Sequence, residues 1–390
     1  MIELEKTAAD FFAGIGLTSV GLARQSWEVR YALDHSEAKR RMYEDHFGTG
    51  HYHVDEIKNV AGESIPKITL AHASFPCTDT SIAGSRNGIE SGESSAFWEF
   101  ARILSEMTLE DGPGKPPIVL IENVEGLLTS GKGRDLISLL GTLNRLHYAV
   151  DMLLIDAAHF VPQSRVRLFV IGILDFPAQA LIERERLLTL SDARPDKIRR
   201  FIRKHSDIRW FLRELPDLPR CHLTVADIID ETAEWWPKER SLYLFNQMFD
   251  RHKQHVSNLM SNERWSYRTV FRRMRMRDGR KQSTAEVRTD GIAGCLRTPK
   301  GGSARQIVIR AGYGQFDARL LNARETARLM GANDFMLDEK LPLNDALFGF
   351  GDAVCVPAIE WITVNYLNPV TSDYCRFVRP FEMAAVGSSA

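Results

Sequence analysis

Short apolar runs alternate with longer stretches of mixed polarity over the first 175 residues or so, a spacing that predicts strands separated by helices. Thr7 to Phe12 reads as a short strand, Gly14-Ile15-Gly16 as a tight turn, and Leu17 to Gln25 as a helix with apolar positions at 17, 20 and 22. Val29 to Leu33 is a second strand ending at Asp34, and Ser36 to Phe47 a charged helix with Ser36 as its cap. A third short strand closes at Asp55, and a fourth runs from Ile68 to Ser74. Ser95 to Met107 is an amphipathic helix, Asp111 to Pro117 a loop, and Ile118 to Ile121 a continuously apolar strand. Arg134 to Leu146 is helical, with strands near Met152 to Ile155 and Arg167 to Ile173. Such alternation indicates an α/β fold with a doubly wound sheet.

The pattern breaks after about residue 175. Residues 176 to 290 are rich in Arg, Asp, Glu and Trp with irregular periodicity, which suggests a second, smaller domain. From Gly291 the chain changes again, with a turn-rich loop at Leu296 to Ser303. Helices are expected at Ala323 to Met330 and Val356 to Leu367, with Pro357 in a favoured first-turn position. The resulting division is residues 1–177, 178–290 and 291–390, with a frayed tail from Ala384.

Composition narrows the class. Apolar content of 44% and charged content of 26% suit a globular protein. The sequence has no apolar run of about 18 residues and no basic, apolar leader at its start, so a cytoplasmic location is expected. The net charge of −1 excludes a generic polyanion binder. Locally the balance differs: Arg264 to Lys281 holds eight basic residues and one acid, beside Trp265, Tyr267 and Phe271. A solvated face and a nucleic-acid contact surface both suit that stretch. The five cysteines are far apart and never spaced CxxC, which disfavours a disulfide framework or a structural zinc site. No metal is expected, and His51 and His53 read as solvated loop residues.

The candidate chemistry centres on Ala73 to Gly84, ASFPCTDTSIAG, which puts the thiol of Cys77 just past a strand end. Carboxyl ends of strands in open parallel sheets are where ligands bind. A nucleophile and a plain buried cysteine are the two readings. Asp34 follows the glycine turn by about 20 residues, where an acid binds ribose hydroxyls, and Asp55 could receive an adenine amino group. The full GxGxxG is missing, which favours a nucleoside without phosphates over a dinucleotide. Phe12 is either core packing or a cation–π partner. Glu122, after the strand at Ile118 to Ile121, is either a capping acid or an employed one. Alternation puts Gln163, Arg165 and Arg167 on one face, as converging donors or as edge ion pairs.

DFFAGIG, SFPCTDTSIAG, ENV, QSRVRLF, RETARLMG and GDAVCVP occur in this order, and the series resembles that of the DNA cytosine-5 methyltransferases over residues 7 to 175 and 290 to 365. The resemblance implies a Rossmann-like methyltransferase sheet and a DNA-recognition domain, with S-adenosylmethionine as methyl donor and S-adenosylhomocysteine as product. It implies that Cys77 attacks carbon 6 of a flipped cytosine and that Glu122 holds ring nitrogen 3. Arg165 orients the base and the carboxylate, with Arg167 in support. The cofactor residues it implies are Asp10, Phe12, Ala13, Gly14 and Gly16 at the turn, then Asp34 and Asp55. Phe75, Pro76, Asp352 and Val354 complete them. The implied DNA contacts are Ser81, Gln163, Arg272, Arg273, Arg275 and Thr298, with Trp210, Trp235 and Trp236 in or beside the recognition region. Two departures from the family pattern stand out: Asp352 where Asn is usual, and Thr78-Asp79-Thr80 where Gln commonly comes first. The expected function is modification of duplex DNA by a monomer in a restriction–modification system, with a partner endonuclease encoded nearby. RNA cytosine methylation, a non-catalytic DNA-binding protein and a nicotinamide-dependent dehydrogenase are the competing readings.

Overall fold

The computed structural model describes residues 4–76, 95–108, 112–177, 179–277, 279–298, 305–338 and 340–377. Two expected site residues, Cys77 and Ser81, lie outside them, as do Thr78 to Thr80 and the tail from Ala384. The chain forms two compact units. One comprises residues 1–155, 166–219 and 358–390, the other residues 156–165 and 220–357.

The first unit is built on the strands β1 (Thr7–Phe11), β2 (Glu28–Asp34), β3 (Tyr52–Val54), β4 (Leu70–Ala73), β5 (Ile118–Val124), β6 (Tyr148–Asp156) and β7 (Val166–Leu174). Among the described residues their sheet order is β3-β2-β1-β4-β5-β7-β6. The pairs β3–β2, β2–β1, β1–β4 and β4–β5 are parallel, and β5–β7 is antiparallel. Strand order reverses between β1 and β4, so the sheet is doubly wound with its switch point there. Helices α1 (Leu17–Ala23), α2 (Glu37–Phe47), α3 (Ser95–Glu106) and α4 (Arg134–Arg145) follow the predicted periodicity. Ser36 caps α2 by accepting from the Lys39 amide. Phe97, Phe100, Ile103 and Leu104 of α3 and Leu136, Leu139, Leu140 and Leu143 of α4 join the sheet's core because they recur every three or four positions.

Residues 179–219 belong to this first unit rather than to a recognition domain. They carry α5 (Leu181–Leu188) and α6 (Asp196–Lys204). Trp210, expected near DNA, is 1% exposed and lies in the main core, with its indole N–H donating to the His205 carbonyl. The segment is pinned by a buried ion pair in which Arg194 meets Asp151 of β6 at 2.5 Å. Its irregular composition hid this attachment, since one charge among the many that make it look solvent-facing, Arg194, is paired inside. His51 also departs from expectation: it is half-buried, and its Nε2 lies 3.0 Å from the Tyr43 hydroxyl.

The second unit holds helices α7 (Lys238–Asn246) and α8 (Asp250–Met260) and the strands β8 (Ser266–Arg277), β9 (Arg280–Val287), β10 (Ile307–Gly312) and β11 (Gln315–Leu320). The strands form an antiparallel sheet in the order β11-β10-β8-β9. Val270, Ala285, Ile307, Ile309 and Phe316 form one core with Leu244 of α7, Val256 of α8 and Met248 between the two helices. Residues 305–357 sit with this unit, including α9 (Ala323–Leu329) and α10 (Leu343–Asp352). The C-terminal helix expected at Val356 to Leu367 is α11 (Val356–Ile362), a π-turn (Thr363–Leu367) and α12 (Asn368–Phe377). The stretch Leu343–Tyr374 is long and apolar enough to cross a membrane by composition, and 61% of its apolar window is buried inside the protein, as in a core helix.

Candidate active site

The turn after β1 occupies one side of the switch point. The Ala13 amide donates to the Leu33 carbonyl at 2.9 Å, and the Gly14 amide to Asp34 Oδ2 at 3.0 Å. The Tyr52 hydroxyl donates to the Gly14 carbonyl at 3.0 Å. Gly16 has a φ of 84°, and a Cβ there would lie 2.5 Å from the Tyr43 ring, so both backbone and space demand glycine. Phe12 has a φ of 61°, uncommon for a bulky residue, and its half-buried ring stands edge-on to Phe75, centroids 6.4 Å apart. Strain of this kind concentrates at ligand sites.

The acids differ from one another. Asp34 is buried at the end of β2, and its second oxygen accepts from the Ser36 amide at 2.9 Å. A carboxylate has room for further donors. Asp55 is exposed just after β3, and the Asn59 side chain and Glu56 amide hold its carboxyl below the usual range. Burial and the Asp55 charge push the Tyr31 hydroxyl up to about 12. Asp10 is a correction. It is fully buried, with one oxygen 2.7 Å from His72 Nδ1 and the other accepting from Ser19 at 2.8 Å. The β1–β4 register sets Asp10 directly opposite His72, so Asp10 braces two strands and α1 instead of facing a ligand.

Glu122 lies within β5 rather than beyond it, because the strand continues to Val124. It is 5% exposed. Arg167 Nε meets Oε1 at 2.7 Å, and the Ser74 hydroxyl donates to Oε2 at 2.7 Å. The antiparallel register pairs Val124 with Arg167 and Glu122 with Phe169, which leaves Arg167 one diagonal step from Glu122 on the same face. Asn123 donates to the Phe75 carbonyl at 3.2 Å. Ser74 and Phe75 are thereby held against β5, and Cys77 follows two residues after Phe75 in the chain, past the exposed Pro76. The carboxylate-orienting part expected of Arg165 is carried in this contact by Arg167.

Gln163 and Arg165 belong to the second unit. Gln163 is fully buried, its amide nitrogen donating to the Leu329 carbonyl at 2.7 Å and its oxygen accepting from the Leu296 amide at 3.0 Å. Both ends are used inside the protein, which takes Gln163 out of the expected DNA contacts. Arg165 is 3% exposed and donates to the carbonyls of Leu296, Gly351 and Ala353 at 2.9, 3.1 and 2.7 Å. Thr298 is half-buried, Asp352 exposed and Val354 buried.

The basic stretch forms the β8–β9 hairpin. Arg273 and Arg275 are exposed and share Glu286, at 3.7 and 2.7 Å. Arg275 holds the Glu286 carboxyl below the usual range. Arg273 also lies 4.5 Å over the Phe271 ring. Arg272 points to the opposite face and is half-buried, while Met274 and Met276 beyond it are exposed. Arg310 and Arg319 each lie 4.6 Å from the Trp235 ring, and Trp236 lies under Arg240 at 3.9 Å.

Comparison with known proteins adds the decisive observation. The family model for C-5 cytosine-specific DNA methylase matches residues 7–367. The chain belongs to that family. Among its relatives, the Type II methyltransferase M.HpaII of Haemophilus parainfluenzae is 26% identical over 375 residues, 91% of this chain and 87% of the relative. M.DsaV of Dactylococcopsis salina is 32% identical over 167 residues, 43% of this chain. That match spans only 45% of M.DsaV, and matches to M.BanI of Aneurinibacillus aneurinilyticus and M1.ScrFI of Lactococcus lactis subsp. cremoris span 38% and 40% of those proteins. The fold is that of the Entamoeba histolytica methyltransferase EhMeth, with a TM-score of 0.61 at 13% identity over 93% of this chain and 97% of that one. The S. pombe Dnmt2 methyltransferase aligns with a TM-score of 0.56 at 14% identity over 93% and 99%.

For this C-5 cytosine-specific DNA methylase family member, sequence reasoning missed Ser74, Asn123 and Tyr52. Ser74 and Asn123 lie inside SFPCTDTSIAG and ENV, and the side chain of each buttresses another motif. Only the strand register reveals which one. Tyr52 opens the short strand β3 among polar neighbours and carries no local signal for its contact to Gly14.

Proposed function

We propose that this protein methylates carbon 5 of a cytosine flipped out of duplex DNA, as the modification enzyme of a Type II restriction–modification system. The observation that carries the reading is the buried Glu122, held by Arg167 and Ser74, where the chain leads into Cys77. Cys77, as a thiolate, adds to carbon 6 of the ring. Glu122 meets ring nitrogen 3 and supplies the proton the ring takes up as electron density arrives there. Arg167 keeps the carboxyl aimed, with the Ser74 hydroxyl fixing its second oxygen. Once carbon 5 carries the methyl group, a base removes the hydrogen from it, the electrons of that bond expel Cys77 as thiolate, and ring nitrogen 3 returns its proton to Glu122. The target must leave the stack, since its carbons are out of reach inside the duplex.

S-adenosylmethionine, when bound, supplies the methyl group. The turn suits such a nucleoside: among the described residues, a Cβ at Gly14 would find only Lys39 Cδ, at 4.0 Å, which leaves space beside that backbone. Asp34 would take ribose hydroxyls and Asp55 the adenine amino group. Phe12 and Phe75 would flank the ligand, with Ala13, Gly14, Gly16 and Pro76 lining it. Asp352 and Val354 would serve its methionine end. Thr298, Arg272, Arg273 and Arg275 would contact DNA. The domain reading is that residues 1–177 carry the chemistry, that residues 291–390 bring the last motifs back to it, and that recognition lies within residues 178–290, in the part from residue 220 that belongs to the second unit.

The test is trapping. Duplex DNA carrying 5-fluorocytosine should become covalently attached to Cys77 in the presence of S-adenosylmethionine, because fluorine cannot leave as a cation. Cys77→Ser should form no adduct. A Cys77→Ser protein that methylates DNA at the wild-type rate would sink the covalent mechanism.

A further inference from the structure

Arg165 is more than a neighbour of the motif it belongs to. Its guanidinium is buried between two segments of the second unit that lie more than 50 residues apart in the chain. On one side Nη1 donates to the Leu296 carbonyl at 2.9 Å and lies 3.3 Å from Cys295 Sγ. On the other side Nη2 donates to Gly351 at 3.1 Å and Ala353 at 2.7 Å. The segments also touch directly. A Cβ on Gly351 would stand 2.7 Å from the carbonyl carbon of Arg297 and from the Thr298 nitrogen, so glycine permits the approach. Gln163 backs the first segment through the Leu296 amide at 3.0 Å. A planar fork with fixed donor directions spans two backbones in a way that a point-like ammonium does not.

We propose that Arg165 is a positioning residue that joins residues 295–298 to residues 351–354 as one body, so that a ligand on either segment is sensed by the other. The inference rests on the functional reading above, in which Thr298 meets DNA while Asp352 and Val354 meet the cofactor. Arg165 then couples the two ligands without touching either. Coupling of this kind is reciprocal: each ligand tightens the other by the same factor, commonly in a range of about 5 to 150. A residue that only supports the fold would change stability and leave that factor alone.

The experiment uses full-length protein, S-adenosylhomocysteine, and a duplex bearing the site mapped by bisulfite sequencing in cells that express it. Dissociation constants for each ligand are measured alone and in the presence of the other. Wild-type protein should show mutual tightening, and Arg165→Lys should bring the factor close to one while still binding each ligand singly. Gly351→Ala, which wedges the segments apart with Arg165 intact, should do the same and decides the matter where Arg165→Lys fails to fold. Undiminished coupling in either folded variant, or none in the wild type, overturns the proposal. A wild-type protein that methylates DNA but shows no coupling leaves the functional reading standing. One that binds no S-adenosylhomocysteine overturns that reading and this inference with it.

Discussion

Arg167 Nε lies 2.7 Å from Glu122 Oε1, across an antiparallel strand pair and in a buried setting. A hydrogen bond to a charged group contributes about 1.5–3 kcal/mol. Arg167→Ala should therefore lower the methyl-transfer rate by roughly ten- to a hundredfold, with S-adenosylmethionine affinity little changed. Single-turnover kinetics at saturating DNA would check this. Wild-type turnover in Arg167→Ala would remove the guanidinium from the mechanism.

Arg194 and Asp151 are both fully buried, and they tie residues 179–219 to the sheet. Arg194→Met would leave the Asp151 carboxylate uncompensated, at a cost of about 3–5 kcal/mol. Replacing both residues with apolar side chains should recover most of that loss. Urea unfolding midpoints of the single and double variants measure the difference. Equal midpoints for Arg194→Met and wild type would count against the pair as the anchor.

Arg275 and Arg273 flank Glu286 on the exposed hairpin. If they grip phosphate, Arg275→Ala should weaken binding to all duplexes alike and reduce the salt slope of log K by about one. Titrations at several salt concentrations, on target and unrelated DNA, read both quantities. An unchanged slope would place the hairpin away from DNA.

Burial, with repulsion from His53, lowers the His51 pKa. The unfolded imidazole, with a pKa of about 6.5, then binds more protons than the folded one, so unfolding takes up a proton. The His51 contribution to stability is full above about pH 6.5 and is lost as pH falls toward the folded value. His252 and His255 are lowered by burial as well and add to the same trend. His51→Gln should flatten part of the decline in unfolding midpoint between about pH 7.5 and 5.5. A decline as steep as the wild type's would show that His51 does not titrate on unfolding.

Much of the frame was legible locally. Apolar runs of strand length, the glycine turn after β1 and the Ser36 cap are properties of neighbouring residues, and a periodic pattern encodes them directly. The order of the motifs sufficed to name the family, and Glu122 stood out as an acid beside a continuously apolar strand, with capping and an active part both open.

Partners are another matter. Alternation put Arg165 and Arg167 on one face, yet only the β5–β7 register sets Arg167 against Glu122, while Arg165 turns to the carbonyls of residues 296, 351 and 353. Asp10 resembled a ligand acid until the β1–β4 register placed His72 opposite it. Trp210 and Arg194 sit in a stretch whose composition looks solvent-facing, and the core claims both. The sequence by itself determined which segments become strands and helices, because backbone preference and apolar period act over a few residues. Only the tertiary structure decided which buried charge meets which donor, because that choice depends on the pairing of strands far apart in the chain.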